Sequence, residues 1–209
     1  MRRLLCSAIL ASLPLSASLA GCHNDTTVVT VSIPDRAGSV RPAAAQILIM
    51  VPYDRDSVIR EISAPWLTRR PDTIPLTRML DSLQGAFARL AAATPRDRAA
   101  ARAVVDRLQA PDGPLARLRA AQHAWQDSAY ASYDSLTFLL VKRIARDPFA
   151  DTTDAAGIAR VRPSRSGPWW ITATTWDASD PFSEWYWNLP LTSDTVRLTA
   201  ANARHRRRF

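Results

Sequence analysis

The sequence predicts an α+β fold, in which an antiparallel β-sandwich carries a helical block after its second strand. Apolar residues alternate with a period of two near the amino end and again after Pro148, as they do in half-buried strands. Between residues 73 and 147 they instead recur every three or four positions, as they do on one face of a helix. The chain has 209 residues, of which 47% are hydrophobic, and this is enough for one ordinary hydrophobic core.

The first residues have the layout of an export signal. The positive pair Arg2-Arg3 precedes an apolar run from Leu4 to Leu19, which is too short to span a bilayer comfortably. This run ends in Leu19-Ala20-Gly21-Cys22, which resembles the cleavage motif of bacterial lipoproteins. The resemblance implies that residues 1–21 are removed, that Cys22 carries a diacylglyceryl group, and that its new amino terminus is acylated.

Cysteine usage agrees with such an anchor. The two cysteines are Cys6, inside the signal, and Cys22 at its end, so a mature monomer has no pair for a disulfide. The resemblance implies a palmitate-bearing anchor in the bacterial cell envelope. By resemblance to enterobacterial sorting, in which an aspartate after the cysteine favours the inner membrane, His23 implies the outer membrane or periplasmic side over the inner membrane. Residues 22–27 form a tether of about 15–20 Å when extended.

The net charge of +8 is unevenly distributed. Arg2 and Arg3 leave with the signal, and four further arginines stand among residues 204–209. Without these six arginines the charge of the chain is +2, so we expect no nucleic-acid partner. We predict that residues 204–209 form a solvated basic tail. Contact of this tail with anionic lipid head groups is the alternative.

The first two predicted strands open a single domain, residues 28–203. Val28–Ile33 alternates between apolar and polar residues and is followed by turn residues. Ala45–Val51 is apolar on both of its faces, which is typical of a strand that is covered on both sides. We therefore expect a helical layer to pack over the face that carries Leu48 and Met50.

The helical block, at about residues 73–147, is predicted to be a hairpin or three helices. Its first segment runs from Leu76 to Leu90, its second reaches Leu108, and its third and longest runs from Leu115 to Ile144. Two arrangements remain open. The block packs on the sheet of its own domain, or it projects and pairs with another protein in the manner of a coiled coil.

Four short strands are predicted after the helical block. Each is rich in β-branched or aromatic residues and is bounded by Gly, Pro, Asp or Ser. The predicted strands are Ile158–Val161, Trp169–Trp176, Trp185–Leu191 and Thr195–Ala200.

These strands resemble the carboxypeptidase regulatory-like family. The resemblance lies in Thr153–Val161, in the aromatic strand Gly167–Ala173 that follows, and in the small-residue turn that leads into an apolar strand at Pro42–Ile49. It implies a transthyretin-like or Ig-like sandwich that serves as a non-catalytic binding, spacing or folding module. The family usually has short strands where this chain has its helical block.

Aromatic residues supply the candidate ligand site. Alternation places Trp169, Trp185 and Trp187 on the core face of their strands. The residues on the opposite face are Trp170, Trp176 and Tyr186. If they are exposed, they suit a carbohydrate-binding module that stacks its tryptophans on sugars. The alternative is that the helical block covers them, with residues such as Trp125 in contact.

The histidines do not predict catalysis. His23 stands beside the anchor, His123 lies in a predicted helix, and His205 lies in the predicted tail. None of them has a nucleophile and an orienting acid in a recognisable arrangement, and the sequence lacks the serine-hydrolase and zinc-protease motifs. We therefore expect a protein that is not an enzyme.

Two aspartate pairs, Asp151 with Asp154 and Asp177 with Asp180, stand in predicted turns. They lack the repeated spacing of a calcium loop, so we expect neither a metal nor a cofactor. The function predicted from the sequence is that of a lipid-anchored envelope protein, a binding or structural module that meets an envelope protein or a glycan.

Overall fold

The computed structural model describes residues 26–164 and 167–208, so the export signal and Cys22 lie outside the described residues. The strands of the described part are β1 Thr27–Pro34, β2 Val40–Pro42, β3 Ile47–Val51, β4 Phe149–Thr152, β5 Ile158–Val161, β6 Trp170–Trp176, β7 Ser183–Pro190, β8 Thr195–Thr199 and β9 Arg204–Arg207. The helices are α1 Arg55–Ser63, α2 Ile74–Ala92, α3 Arg98–Leu108, α4 Pro114–Tyr130 and α5 Tyr133–Ile144, with a 3-10 helix at Ala64–Arg69. None of the described helices combines the length and the apolarity needed to cross a membrane.

The strands form two sheets that share one core. In the first sheet β1 pairs antiparallel with β2 and β5 and parallel with β8. The second sheet has the antiparallel order β4-β3-β6-β7-β9. The coarse prediction of an α+β fold with sandwich-like sheets is confirmed.

Leu48 and Met50 point into the core between the sheets and not toward the helices. Both side chains are fully buried with residues of the first sheet such as Val29. The opposite face of β3 is open, since Ile47 is 59% exposed and Ile49 is 42% exposed. The expectation of a helical layer over Leu48 and Met50 is therefore wrong. The sandwich itself covers that face, and the helices contact the second sheet further along, at β7.

The helices build a second, smaller core. Leu76, Leu80 and Leu83 of α2 are buried together with Val105 of α3 and Leu115 of α4. Amphipathic helices gain most of their stability from this kind of packing. The apolar faces of α2, α3 and α4 are thus partnered within the chain.

Helix α1 ties the helices to the second sheet. Its amino-terminal cap, Asp54, accepts a hydrogen bond from the backbone N–H of Asp56 at 3.0 Å and one from Asn188 Nδ2 of β7 at 2.6 Å. Asp56 accepts a hydrogen bond from the hydroxyl of Tyr186 at 2.8 Å. The outer face of β7 is therefore covered by α1, a helix that was not predicted from the sequence.

Three further differences from the prediction concern the number of strands and helices. The helices follow a third strand and not the second, because β2 forms a short antiparallel pair with the end of β1. The long third helical segment is divided at Ala131–Ser132 into α4 and α5. Strand β4, which was not predicted, pairs with the free edge of β3.

The carboxyl-terminal arginines form a strand where a solvated tail was predicted. Arg204–Arg207 pair with Ser183–Tyr186 of β7, and the N–H of Arg208 donates to the carbonyl of Phe182 at 2.8 Å. Without these residues the edge of β7 would be unpaired, and an open sheet edge is a ready template for another strand. Backbone pairing thus fixes four residues of the expected tail.

The turn from Asp154 to Gly157, which lies in the region of family resemblance, requires its glycine for physical reasons. Gly157 has a φ of 72°, and a Cβ there would lie 2.6 Å from the carbonyl oxygen of Val31. Asp154 Oδ1 accepts hydrogen bonds from the N–H groups of Ala156 and Ile158, each at 2.9 Å. The position therefore requires glycine both for its backbone angle and for the close approach of β1.

Candidate functional site

A large cleft lies between α1, α4 and β9, and we name it the arginine cleft. Its volume is about 1240 Å³. Of the described residues that line it, eight are arginines and three are carboxylates. The helix side contributes Arg55, Arg60, Arg70 and Arg119, and the strand side contributes Arg204, Arg206, Arg207 and Arg208. The cleft is therefore strongly positive.

The strand-side arginines are paired. Arg204 forms an ion pair with Asp56, and Arg206 Nε lies 2.7 Å from Glu184 Oε1. The guanidinium of Arg206 also lies 4.0 Å from the ring centroid of Tyr186. Carboxylates and an aromatic face thus fix these side chains in the wall of the cleft.

The next two arginines continue this pattern. Arg207 forms ion pairs with Asp180 and with Asp81 of α2. Arg208 lies 3.8 Å from Glu184 and 4.1 Å from the ring centroid of Trp176. The charges of the strand side are therefore largely balanced by acidic residues.

The helix-side arginines have no such balance. Within the described residues, none of Arg55, Arg60, Arg70 and Arg119 forms an ion pair with a carboxylate. Arg55 lies 5.9 Å from the ring centroid of Tyr133. Arg70 lies 5.3 Å from that of Trp125. The uncompensated positive charge of the cleft is concentrated on this side.

The described residues that line the cleft include a buried polar group without a partner. Gln122 of α4 is only 2% exposed, and its Oε1 accepts no hydrogen bond from the described residues. Leaving such an oxygen unpaired costs about 1–3 kcal/mol. Its neighbour Trp125 is satisfied, because its Nε1 donates to the carbonyl of Trp66 at 3.0 Å. The unpaired oxygen of Gln122 marks this position as a functional candidate.

Titratable groups beside the cleft are held in one protonation state. Burial raises the pKa of Tyr186, although Arg55 and Arg206 act in the opposite direction. Burial acts to raise the pKa of Asp54 as well, but hydrogen bonds from Ser57 and Asn188 outweigh it and the net shift is downward. Tyr186 therefore remains a hydrogen-bond donor to Asp56, while Asp54 remains an acceptor.

The three candidate stacking residues share the predicted outward face but do not form one platform. Tyr186 is 1% exposed beneath α1, whereas Trp176 is 64% exposed. Trp170 is half-buried at the opposite end of β6, and the buried Thr172 lies between the two tryptophans. As placed among the described residues, these three rings therefore form no contiguous surface, and Arg208 lies against the ring of Trp176.

Asp177 and Asp180 organise a turn. Asp177 Oδ1 accepts from the N–H and the hydroxyl of Ser179 at 2.8 and 2.6 Å, and Asp177 Oδ2 lies 2.8 Å from His205 Nε2. Asp180 accepts from the N–H of Phe182 and from Ser183 Oγ. The hydroxyl of Ser179 thus donates its hydrogen bond to the carboxylate of Asp177 and not to the imidazole of His205.

The aspartate pairs do not gather into a metal-binding group. Asp151 Oδ1 accepts from the N–H of Thr152 at 2.7 Å, while Asp154 caps the turn described above. Over residues 26–164 and 167–208, no three His, Cys, Asp or Glu side chains are arranged to hold a metal ion.

No pattern in the sequence predicts the arginine cleft as a whole. Its arginines come from segments as far apart as Arg55, Arg119 and Arg208, and no local motif connects them. The signal that was available is the alternation in β9, where Arg204 and Arg206 share one face of a strand.

Comparison with known proteins finds only weak similarity. No family model and no curated protein matches the chain. A pilus backbone structure, RrgB from Streptococcus pneumoniae, is 13% identical, with a TM-score of 0.24, over 83% of this chain and 40% of that one. The full-length major pilin RrgB from the same organism is 12% identical, with a TM-score of 0.21, over 87% of this chain and 25% of that one. This chain thus spans less than half the length of either pilin.

Proposed function

We propose that this chain is a lipid-anchored protein of the bacterial cell envelope that binds an anionic ligand in the arginine cleft without catalysing a reaction. We further propose that its sheets form a transthyretin-like sandwich of the carboxypeptidase regulatory-like type, into which the helices are inserted. The resemblances at Leu19–Cys22 and Thr153–Val161 support the anchor and the sandwich type.

The excess of arginine in the cleft is the observation that indicates an anionic ligand. Eight arginines face three carboxylates, and the four helix-side arginines form no ion pair among the described residues. A guanidinium group presents several N–H donors in one plane, and this geometry matches the oxygens of phosphate and carboxylate groups. A concave basic surface also concentrates anions from solution.

Calorimetric titration of the full chain with inositol hexakisphosphate tests the anionic site. We expect binding that weakens as salt is added, because exposed charges are screened. Replacing Arg60 and Arg119 by glutamine removes two unpaired charges and should weaken binding by about tenfold or more.

The matched control also removes two charges, by replacing the exposed Arg160 of β5 and Arg197 of β8, both in the other sheet, by glutamine. It should leave the affinity within about twofold. An equal loss in this control would mean that the anion responds only to net charge, and the proposed site would be wrong.

The anchor is tested in cells by labelling with palmitate. We expect Cys22→Ala to abolish incorporation of the label and to release the protein from the membrane fraction. Cys6→Ala, inside the signal, should behave as the unchanged protein does. Retention of the label by the Cys22 variant would disprove lipidation at this residue.

A carbohydrate-binding role has weaker support. Stacking on a sugar needs adjacent exposed rings, but the buried Thr172 separates Trp170 from Trp176. The structure therefore favours the cleft over the aromatic face as the ligand site.

A further inference from the structure

We infer that the ligand of the arginine cleft is a sugar that carries two phosphate groups. In this arrangement the helix-side arginines hold the phosphates and Gln122 accepts a hydrogen bond from a sugar hydroxyl. The inference rests on the proposed anionic site and gives it a chemical class.

The charge of the helix side matches two phosphates better than one. Four arginines stand there, and Asp134 is the acidic residue of the cleft lining that forms no ion pair among the described residues. The remaining charge of about +3 corresponds to two phosphate esters, each of which carries about −1.5 to −2 at neutral pH. Arg60 lies on α1 and Arg119 on α4, so the charges face the cleft from two sides.

The side chain of Gln122 requires a hydrogen-bond donor, and a bare phosphate does not supply one. Its Oε1 is an acceptor without a partner, and a fully ionised phosphate has only acceptors to offer. A sugar hydroxyl supplies the missing donor and can also accept from the amide nitrogen. Oε1 is enclosed in this arrangement, and because the terminal torsion of glutamine is soft, rotation about it brings this oxygen to the ligand.

Two of the four Trp, Tyr and Phe rings that line the cleft suit a sugar better than a nucleobase. A nucleobase needs an open ring face on which to stack, but the guanidinium of Arg70 lies over Trp125 and that of Arg55 lies over Tyr133. The volume of about 1240 Å³ leaves room for a hexose bisphosphate together with bridging water.

The experiment compares two probes by calorimetric titration of the full chain. One probe is a hexose bisphosphate, and the other is hexanediol bisphosphate, which carries two phosphates on a chain without hydroxyls. We expect the sugar to bind about fivefold more tightly, which corresponds to one or two net hydrogen bonds.

Variants of Gln122 test whether this side chain causes the difference in affinity between the two bisphosphates. Gln122→Leu should remove the preference for the sugar while hexanediol bisphosphate binds as before. Its thermal stability should not fall, since the change removes an unpaired buried oxygen. Gln122→Glu should weaken both probes through repulsion, and Gln109→Leu, at an exposed glutamine after α3, should change neither.

Vesicle flotation of the Cys22→Ser chain distinguishes the sources of such a ligand. Binding to vesicles that contain a phosphorylated glycolipid, but not to phosphatidylglycerol vesicles, would support a lipid head group. Binding of the soluble hexose bisphosphate without vesicle binding would support a free sugar phosphate.

Equal affinity for the two bisphosphates, unchanged in Gln122→Leu, would overturn the sugar assignment and leave the anionic site in place. If neither bisphosphate nor inositol hexakisphosphate binds, the proposed function fails as well.

Discussion

Asp177 shows how single side chains hold the carboxyl-terminal strand in position. Its carboxylate is buried and accepts hydrogen bonds from Ser179 on one oxygen, while the imidazole of His205 in β9 meets the other. Burial acts to raise the pKa of Asp177, but the hydrogen bonds from Ser179 and His205 outweigh it, so the pKa lies below its ordinary value of 3.8. The ionised carboxylate therefore stabilises the folded state.

The pH dependence of stability tests this arrangement. Because the pKa of Asp177 is lower in the folded than in the unfolded chain, its contribution is fully present above 3.8 and is lost as the pH falls through the lower folded value. We expect Asp177→Asn to lower Tm at neutral pH and to make Tm fall less steeply below pH 3.8. Calorimetric scans from neutral pH to about pH 2 measure both effects.

The matched control for this prediction is Asp112→Asn, at an exposed aspartate in the turn before α4. It should leave the pH profile unchanged. An Asp177 variant whose profile has the same slope as that of the unchanged protein would show that this carboxylate does not contribute in this way.

At the scale of elements, β9 joins the two halves of the molecule. Its backbone completes the second sheet along β7, and its Arg207 pairs with Asp81 of α2 and with Asp180. The strand also forms one wall of the arginine cleft. A single short element thus connects the packing of the sheet, the position of α2 and the shape of the site.

Removal of residues 204–209 tests the role of β9. We expect Tm to fall by about 5 °C or more, because the strand's backbone hydrogen bonds and ion pairs are lost. Binding of inositol hexakisphosphate should be lost with the wall of the cleft. Thermal denaturation and calorimetric titration measure the two effects, and removal of Phe209 alone is the control. An unchanged Tm would mean that these residues form the solvated tail that the sequence first indicated.

The predicted elements differ in how strongly the sequence specified them. Strand β5 was predicted with its observed bounds and β8 to within one residue, because alternation and turn residues coincide at their ends. Helix α1 was not predicted, since it has few apolar residues and its cap Asp54 is the main local signal. Helices α4 and α5 were predicted as one, because the apolar spacing continues through Ala131–Ser132.

At the scale of the whole molecule, the distribution of charge matters more than its sum. Counting along the chain separated the terminal arginines from the body and left a net charge of +2. The fold instead returns the four carboxyl-terminal arginines, at positions 204 and 206–208, to the body, opposite Arg60 on α1 and Arg119 on α4. The strand-side charges are balanced by carboxylates and the helix-side charges are not. This asymmetry is the physical basis of the proposed anionic site.

The sequence by itself determined the local features of this protein. Periodicity specified most strands and helices and placed Trp187 on the core face, and a local turn pattern indicated the glycine turn at Gly157. The anchor at Cys22 stays a prediction from its motif. Only the tertiary structure decided what each face meets. Periodicity shows that a face is buried but does not identify what covers it, so the partners of Leu48 and Met50 were mistaken. The arginine cleft likewise exists only because the fold brings together charges from segments that share no local pattern.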